Sequence, residues 1–412
     1  MFYMRKSMRN VIRNWYKSVL IVLVCALITF FLFLYIGALH ANQRQLTDLP
    51  SAMPVYGRIC NLNGSLNTGL MVSERIIEGL EGSAHVAEFS YTAHIGAALN
   101  RIDRDRVQEM EIGDLTFPLA YAANHLGAYP GIGEQAVSFL PGVNPMILAS
   151  EEAVCLMREQ ELERHGLKLG DMIDVTLFSP SYPTDNYVLD YRWLGVYQVQ
   201  IAGSYSESWS DEASPAQVLF PSQWIRKIHR ENEAMFNADS VRFRVAHPLA
   251  LNDFKAEMKS LWLMSVLSQA GHSHRGIALV VGDESFIKAA SRLQDNIMLM
   301  KVFTPFLFTI VGLVGFVVSY LLLHNRRPEI AVMRSLGMSR SGCFLLLLSE
   351  NLLLVLSGSA LGTVFALFFT DMGIAQIYAV VGLFFACYIT GTVSALYMVN
   401  KFSVMAVLST LE

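Results

Sequence analysis

The sequence predicts a membrane α-helical protein with four transmembrane helices and one α+β extracytoplasmic domain. Hydrophobic residues make up 53% of the 412 residues and charged residues only 16%, and the mean hydropathy is +0.38. Four stretches are almost free of charge, and each exceeds the roughly 20 residues that cross a hydrocarbon core as a helix. One long polar segment separates the first stretch from the second, so a sizeable folded domain is expected there.

The first transmembrane helix is predicted at residues 18–39, which contain no Asp, Glu, Lys or Arg. A basic segment precedes it, as in a signal peptide, but the apolar run is too long and lacks a small-residue cleavage pattern after it. We therefore interpret it as an uncleaved anchor. Residues 1–17 mix aromatic and aliphatic side chains with basic ones, which favours a cytoplasmic interfacial helix.

Three more transmembrane helices are predicted near the C-terminal end of the sequence. Their limits are 296–323, 343–369 and 375–399. Lys and Arg are concentrated before the first helix, in the loop 324–342 and in the tail 400–412. Because cytoplasmic flanks carry the positive excess, we expect both termini and this loop in the cytoplasm. The protein is thus predicted to be a multi-pass protein of the cell (inner or plasma) membrane.

The extracytoplasmic domain is predicted at residues 40–295, either as one α+β unit or as two subdomains. Alternating apolar and polar residues predict strands, whereas periodic stretches that end at Gly or Pro predict helices. Strands are expected at 174–178, 197–201 and 241–245, and helices at 151–165, 251–263 and 283–300. The last of these helices runs without Gly or Pro into the second transmembrane helix.

The charge of this domain limits its partners. Residues 40–301 hold 21 Lys or Arg against 31 Asp or Glu. This excess argues against nucleic acid or anionic lipid as the domain's partner and fits either a cationic ligand or a plain solvated surface. Cys60 and Cys155 are the cysteines outside the predicted membrane helices, and a disulfide and two free thiols are both open.

Several enzyme classes are excluded by their missing motifs. The P-loop, HExxH, GxSxG and paired CxxC patterns are absent, so we predict a non-catalytic chain that binds no cofactor or metal. His272 and His274 are close in sequence, but no third ligand is nearby. A solvated loop is therefore favoured over a metal site there.

The predicted cytoplasmic loop contains a pattern typical of a short helix. Pro328 suits the first helical position, and Glu329 suits the positive end of the helix dipole. Gly337 can adopt the left-handed conformation that ends a helix.

The same short helix has an apolar face. Helical spacing places Ile330, Met333 and Leu336 on one side, with Val332 beside them. A helix this short is unstable alone, and its apolar side chains are expected to face the cytosol. Such a surface usually docks on a partner.

Polar and small residues lie inside the third transmembrane helix. Glu350 follows the expected Ser339 or Ser341 cap by roughly ten residues, which is about 15 Å of helix. A carboxylate at that depth is expected to face protein or a polar cavity; helix packing or coupling is favoured over proton transport. Gly358 and Gly362 form a small-xxx-small face suited to close helix contact.

The short helix and its flanks resemble a family signature. The FtsX/MacB-type permeases of ABC transporters carry R-x-E-I-A-[IV]-[ML]-R-[AS]-[LI]-G just after their second span. The matching residues here are Arg327-Pro328-Glu329-Ile330-Ala331-Val332-Met333-Arg334-Ser335-Leu336-Gly337. Glu350, Gly358 and Gly362 also stand where that family has a Glu and small residues. The Gly-Asp turn at 170–171 resembles the family's external core domain, which implies a MacB-like periplasmic core.

The resemblance implies partners and a mechanism. A separate ABC ATPase subunit would bind ATP and Mg²⁺ and would dock on the short helix; a second permease subunit, the same or related, would pair with this chain within the membrane lipid. The implied docking residues are Arg327, Pro328, Glu329, Ile330, Met333, Arg334, Leu336 and Gly337. Nucleic acid is not an expected partner.

The implied function is transmission of ATP-driven motion to the extracytoplasmic domain. The substrate would be a peptide, an antimicrobial or a lipid-linked molecule that is exported or extracted. An apolar groove in the domain would favour lipid extraction, and an acidic cleft would favour a cationic peptide. The alternative is a non-transporting regulator of an extracytoplasmic protein such as a cell-wall hydrolase, or of a sensor kinase.

Overall fold

The computed structural model describes most of the chain as two compact units. The described residues are 15–105, 115–128, 137–181, 190–206, 216–271, 276–324, 327–370 and 372–400. Most of the predicted interfacial helix, the tail after residue 400 and the His272–His274 pair lie outside them. We call residues 1–49 and 287–412 the helical unit, and Pro50–Phe286 the β unit.

Nine α-helices are found in the described residues. They are α1 Trp15–Ala52, α2 Glu74–Glu81, α3 Glu159–His165, α4 Ser222–Glu231, α5 Leu251–Ser260, α6 Glu284–His324, α7 Arg327–Ser335, α8 Arg340–Leu367 and α9 Ile374–Asn400. Four of them, α1, α6, α8 and α9, are long and apolar enough to cross a membrane. Large apolar side chains on these helices, such as Leu20 and Phe306, are more than half exposed, as expected where lipid covers them.

Two of the long helices extend beyond the predicted membrane segments. Helix α1 continues past residue 39, the predicted end of the span, because residues 40–49 contain no Gly or Pro that would break it. Helix α6 begins at Glu284 and covers all but the first residue of the helix predicted at 283–300. It also continues through Pro305 to His324.

The β unit contains twelve strands among its described residues. They are β1 Tyr56–Asn61, β2 Val72–Ser73, β3 Val86–Ala98, β4 Phe117–Ala123, β5 Val137–Phe139, β6 Val154–Arg158, β7 Met172–Ser181, β8 Asp190–Tyr205, β9 Val218–Pro221, β10 Asn237–Ala238, β11 Ser240–Val245 and β12 Ile277–Val281. Ten form one mixed sheet in the order β12-β1-β11-β3-β4-β9-β6-β8-β5, with β7 pairing β3 and β8. Only β4–β9 and β6–β8 pair in parallel in these strands.

The predicted helix at 151–165 is wrong in its first half. Residues Val154–Arg158 form strand β6, and the helix covers only Glu159–His165. Four consecutive apolar side chains begin β6, and all are buried. Such a run is typical of an inner strand that is covered on both faces. Gly166 ends the helix with a left-handed φ of 66°.

The two cysteines of the β unit are free thiols. Cys60 lies in β1 and Cys155 in β6, and both are fully buried. Burial raises the pKa of the Cys155 thiol to about 12 and also raises that of Cys60. Of the two alternatives left open by the sequence, the structure therefore has free thiols rather than a disulfide.

A buried arginine joins helices α2 and α4. Arg226 donates hydrogen bonds to Glu74, Glu78 and Glu81 at 3.0–3.2 Å, and we call these four residues the Arg226 cluster. Arg230, one turn later, also binds Glu74 and Glu78. Hydrogen bonds between charged groups are stronger than those between neutral groups, so the cluster holds α2 and α4 together in a defined geometry.

Candidate functional site

The short helix predicted after the second transmembrane segment is present as α7, Arg327–Ser335. Gly337 follows it with φ +91°. The Gly337 N–H donates to the Arg334 carbonyl and the Met338 N–H to the Met333 carbonyl, each at 3.2 Å. These bonds satisfy carbonyls at the helix end that would otherwise lack a partner, and the left-handed backbone explains a glycine at this position.

The exposed apolar surface of α7 differs from the predicted face. Leu336 is 81% exposed and Val332 52%, whereas Met333 and Arg334 are half-buried. Leu336 and Val332 are four residues apart and so lie on the same side. Met333 is thus less exposed than its predicted place on the apolar face implies, while its part in docking stays a prediction. We call Val332 and Leu336 the α7 patch.

The remaining predicted docking residues have mixed positions. Glu329 is exposed in the first turn, and Ala331, between it and the patch, is buried. The backbones of Arg327, Pro328 and Ile330 belong to α7, but their side chains lie outside the described part of the structure.

The turn after α7 leads directly into α8. The Ser339 side chain accepts a hydrogen bond from the Gly342 N–H at 3.1 Å, so Ser339, rather than Ser341, is the cap of α8. Only four residues separate the last residue of α7 from the first of α8. A displacement of α7 therefore has a short covalent path to α8.

The polar pair Glu350–Asn351 lies inside the helical unit. Glu350 is 1% exposed and Asn351 2%, and the Asn351 amide donates to the Leu347 carbonyl at 3.2 Å. The carboxylate thus faces protein, as expected for an ionisable group at this depth.

Gly358 and Gly362 bring α8 against the backbone of α1. A Cβ added at Gly358 would meet the Val22 carbonyl at 2.7 Å and the Cys25 Cβ at 2.6 Å. A Cβ at Gly362 would collide with the Ala26 carbonyl. The glycines therefore allow the close helix contact that the small-xxx-small pattern indicates.

A second glycine contact was not recognised in the sequence. Gly312 and Gly315 of α6 face α9, where a Cβ at Gly391 would collide with the Gly312 carbonyl. Beside it the hydroxyls of Ser319 and Thr392 form a buried hydrogen bond of 3.0 Å. The sequence feature that indicates this contact is Gly312-x-x-Gly315, but its spacing differs from the small-xxx-small pattern.

One protein family matches the region that contains α7, α8, α9 and the C-terminal part of α6. Residues 301–410 match the family model described as FtsX-like permease C-terminal. The C-terminal segment is an FtsX-like permease domain. The resemblance predicted from the sequence is confirmed over these residues, and the permease domain includes α7, α8, α9 and most of α6.

Two further comparisons add little to the permease domain. No curated protein gives a significant match to the chain. A crystal structure of a domain named as a permease protein from Porphyromonas gingivalis matches with 15% sequence identity and a TM-score of 0.28. The match covers 55% of this chain and 86% of that one.

Proposed function

We propose that the chain is the non-catalytic permease subunit of an ABC-type complex and transmits the motion of a separate ATPase to its extracytoplasmic domain. The observation that carries the proposal is the α7 patch, two exposed aliphatic side chains within an FtsX-like permease domain. Exposed apolar side chains on a short, capped helix suit a protein partner. ATP and Mg²⁺ would be held by that partner.

The proposed topology has four membrane crossings. Helices α1, α6, α8 and α9 span the membrane, and residues 40–295 lie outside the cytoplasm. The concentration of Lys and Arg around residues 324–342 supports a cytoplasmic position for α7. The α7 patch would then be on the side where ATP is available.

The contacts within the helical unit support a path for the motion. A shift of α7 would be passed to α8 through the short turn at Ser339. Helix α8 would pass it to α1 through Gly358 and Gly362, where no side chain separates the two backbones. Close-packed contacts transmit displacement because they have no space to absorb it. Helices α1 and α6 both continue along the chain into the extracytoplasmic domain, which would export or extract a peptide, an antimicrobial or a lipid-linked substrate.

The test is recovery of an ATPase from native membranes with tagged full-length chain. We expect the wild-type chain to co-purify with an ATPase subunit and ATP hydrolysis activity, and Leu336→Glu to lose both, because a carboxylate would be buried at the interface. Leu249→Glu is the matched control, since Leu249 is also exposed, at 52%, but lies in the β unit.

Two results would contradict the proposal. Wild-type preparations that repeatedly contain no ATPase would refute the permease function. If Leu336→Glu recovers as much ATPase as the wild-type chain, the chain has an ATPase partner but does not bind it through the α7 patch.

A further inference from the structure

Helix α6 has a gap in its hydrogen bonding at Pro305, inside the helical unit. A proline has no N–H, so the carbonyl four residues earlier, at Lys301, loses the bond that a helix normally gives it. Lys301 and Pro305 are both exposed, and residues four apart lie on one side of a helix. The gap is therefore on the exposed side of α6, and it makes this turn easier to bend than its neighbours.

Two threonine hydroxyls bond to carbonyls on either side of this gap. The Thr304 hydroxyl donates to the Met300 carbonyl and the Thr309 hydroxyl to the Pro305 carbonyl, each at 2.8 Å. Bonds of this kind, from a side chain back to the preceding turn, often accompany bends in helices. We call residues 300–309 the α6 hinge region.

Helix α1 binds the first residue of the α6 hinge region. The Tyr35 hydroxyl donates to the Met300 carbonyl at 2.6 Å, at the short end of the range for a bond between two oxygens. The Asn42 amide donates to the Met300 sulfur at 3.5 Å, which is a weak contact because a thioether is a poor acceptor. Tyr35 and Asn42 are seven residues apart, close to two helical turns, so they lie on one face of α1. We call Tyr35, Asn42 and Met300 the Met300 latch.

The latch and the gap lie on different sides of α6. Met300 and Thr304 are half-buried, whereas Lys301 and Pro305 are exposed. A bend at Pro305 would move Met300 relative to α1 and would have to stretch or break the Tyr35 bond. This short bond therefore opposes bending at the position where the helix is least able to resist it alone.

We propose that the Met300 latch is a conformational lock that holds α6 against α1 at rest and opens when α6 bends at Pro305. The inference rests on the proposed function, since it assigns the place where transmitted motion would bend α6. Residues 302–323 contain no Asp, Glu, Lys or Arg, so in the proposed topology Pro305 lies one turn, about 6 Å, inside the outer border of the membrane. The part of α6 before the hinge region then moves, while the part after it keeps its glycine contact with α9.

The lock can be tested without an ATPase, so its failure is distinct from that of the α7 patch. The first measurement is hydrogen exchange of the full chain in neutral detergent. Tyr35→Phe removes only the hydroxyl, and we expect the amides of residues 296–304 to exchange about fivefold faster, as for the loss of one hydrogen bond. Asn42→Ala should accelerate them less than about twofold, because its bond to sulfur is weak. Tyr378→Phe is the matched control and should leave them unchanged, since Tyr378 is 74% exposed on α9.

The second measurement distinguishes a hinge from a plain packing contact. Nitroxide labels at Asp295→Cys and Ile374→Cys, both exposed positions, report the distance from α6 before the hinge region to the start of α9 by pulsed electron paramagnetic resonance. Cys387→Ser removes the half-buried native thiol. We expect one distance with the latch intact and a second, separate distance after Tyr35→Phe. Pro305→Ala restores the missing N–H, so adding it to Tyr35→Phe should return the single distance.

Two results would overturn the proposal. The first is hydrogen exchange around Met300 that Tyr35→Phe leaves unchanged. The second is a distance distribution that does not respond to Tyr35→Phe, or that responds equally when Pro305→Ala is also present, because the contact would then be ordinary packing. Equal thermal unfolding midpoints of the variants show that a change in exchange or distance reflects the hinge region and not unfolding.

Discussion

Replacing Arg226 by Gln should weaken the contact between α2 and α4 far more than the same change at Arg230. Both side chains bind Glu74 and Glu78, but that of Arg226 is 4% exposed and that of Arg230 is 59% exposed. Breaking a buried ion pair by removing one partner costs about 3–5 kcal/mol, whereas an exposed pair contributes about 0–1 kcal/mol. Because both variants replace an arginine that binds the same two glutamates by glutamine, the difference between them measures the effect of burial.

The geometry reduces the expected cost at Arg226. Glu78 is 53% exposed, and Arg230 would still bind Glu74 and Glu78. Glu81 accepts hydrogen bonds from Arg226 in the described structure and would lose this cation. We therefore expect about 2–3 kcal/mol for Arg226→Gln, below the fully buried range because solvent screens part of the charge.

Hydrogen exchange of the full-length chain measures this local opening. A loss of 2–3 kcal/mol corresponds to about 30- to 150-fold faster exchange of the α2 and α4 amides. Arg230→Gln should change it less than about fivefold. Adding Glu81→Gln to Arg226→Gln should recover part of the loss, because it removes the orphaned charge. Equal acceleration by both arginine variants would refute the reasoning.

Two other predictions concern pH and helix packing. Burial lowers the pKa of His229, which bonds the Ile225 carbonyl at 2.8 Å and the Ser179 hydroxyl at 3.1 Å. As the pH falls, the unfolded state therefore takes up a proton on His229 before the folded state does, so the contribution of His229 to the stability of the β unit is fully present above about pH 6.5 and is lost as the pH drops toward the folded pKa. His229→Phe should reduce this dependence of the free energy of unfolding on pH, measured from pH 7.5 to 5. An unchanged dependence would contradict the lowered pKa of His229. Gly362→Leu should lower the thermal unfolding temperature of the detergent-solubilised chain, because its side chain would collide with α1. Gly382→Leu is its control, since nothing lies within 4 Å of a Cβ there, and an equal drop in both would argue against the α1–α8 contact.

The helical unit was largely predictable from the sequence because its signals are local. Charge-free runs indicate long apolar helices, and Gly337 and Ser339 have conformational and capping roles that depend on adjacent residues. The exposed face of α7 was harder to predict. Whether Val332 or Met333 is outermost depends on how α7 packs, which helical spacing alone does not determine.

The β unit was less predictable because its contacts join distant parts of the chain. Strand β6 was assigned to a helix, since a short apolar run fits either structure. Arg58 and Arg242 are neighbours only through the pairing of β1 with β11, and no local pattern gives that register. The same holds for Arg226, whose carboxylate partners precede it by about 150 residues.

The buried thiols of the β unit have a practical consequence for chemical labelling. Cys60 and Cys155 have no exposed surface, and their raised pKa values keep them in the unreactive protonated form at neutral pH. A cysteine introduced on the surface of the folded β unit would therefore react with a maleimide, whereas the two native thiols of this unit would not. Membrane-impermeant reagents can then report which side of the bilayer this unit occupies without first removing any natural cysteine from it.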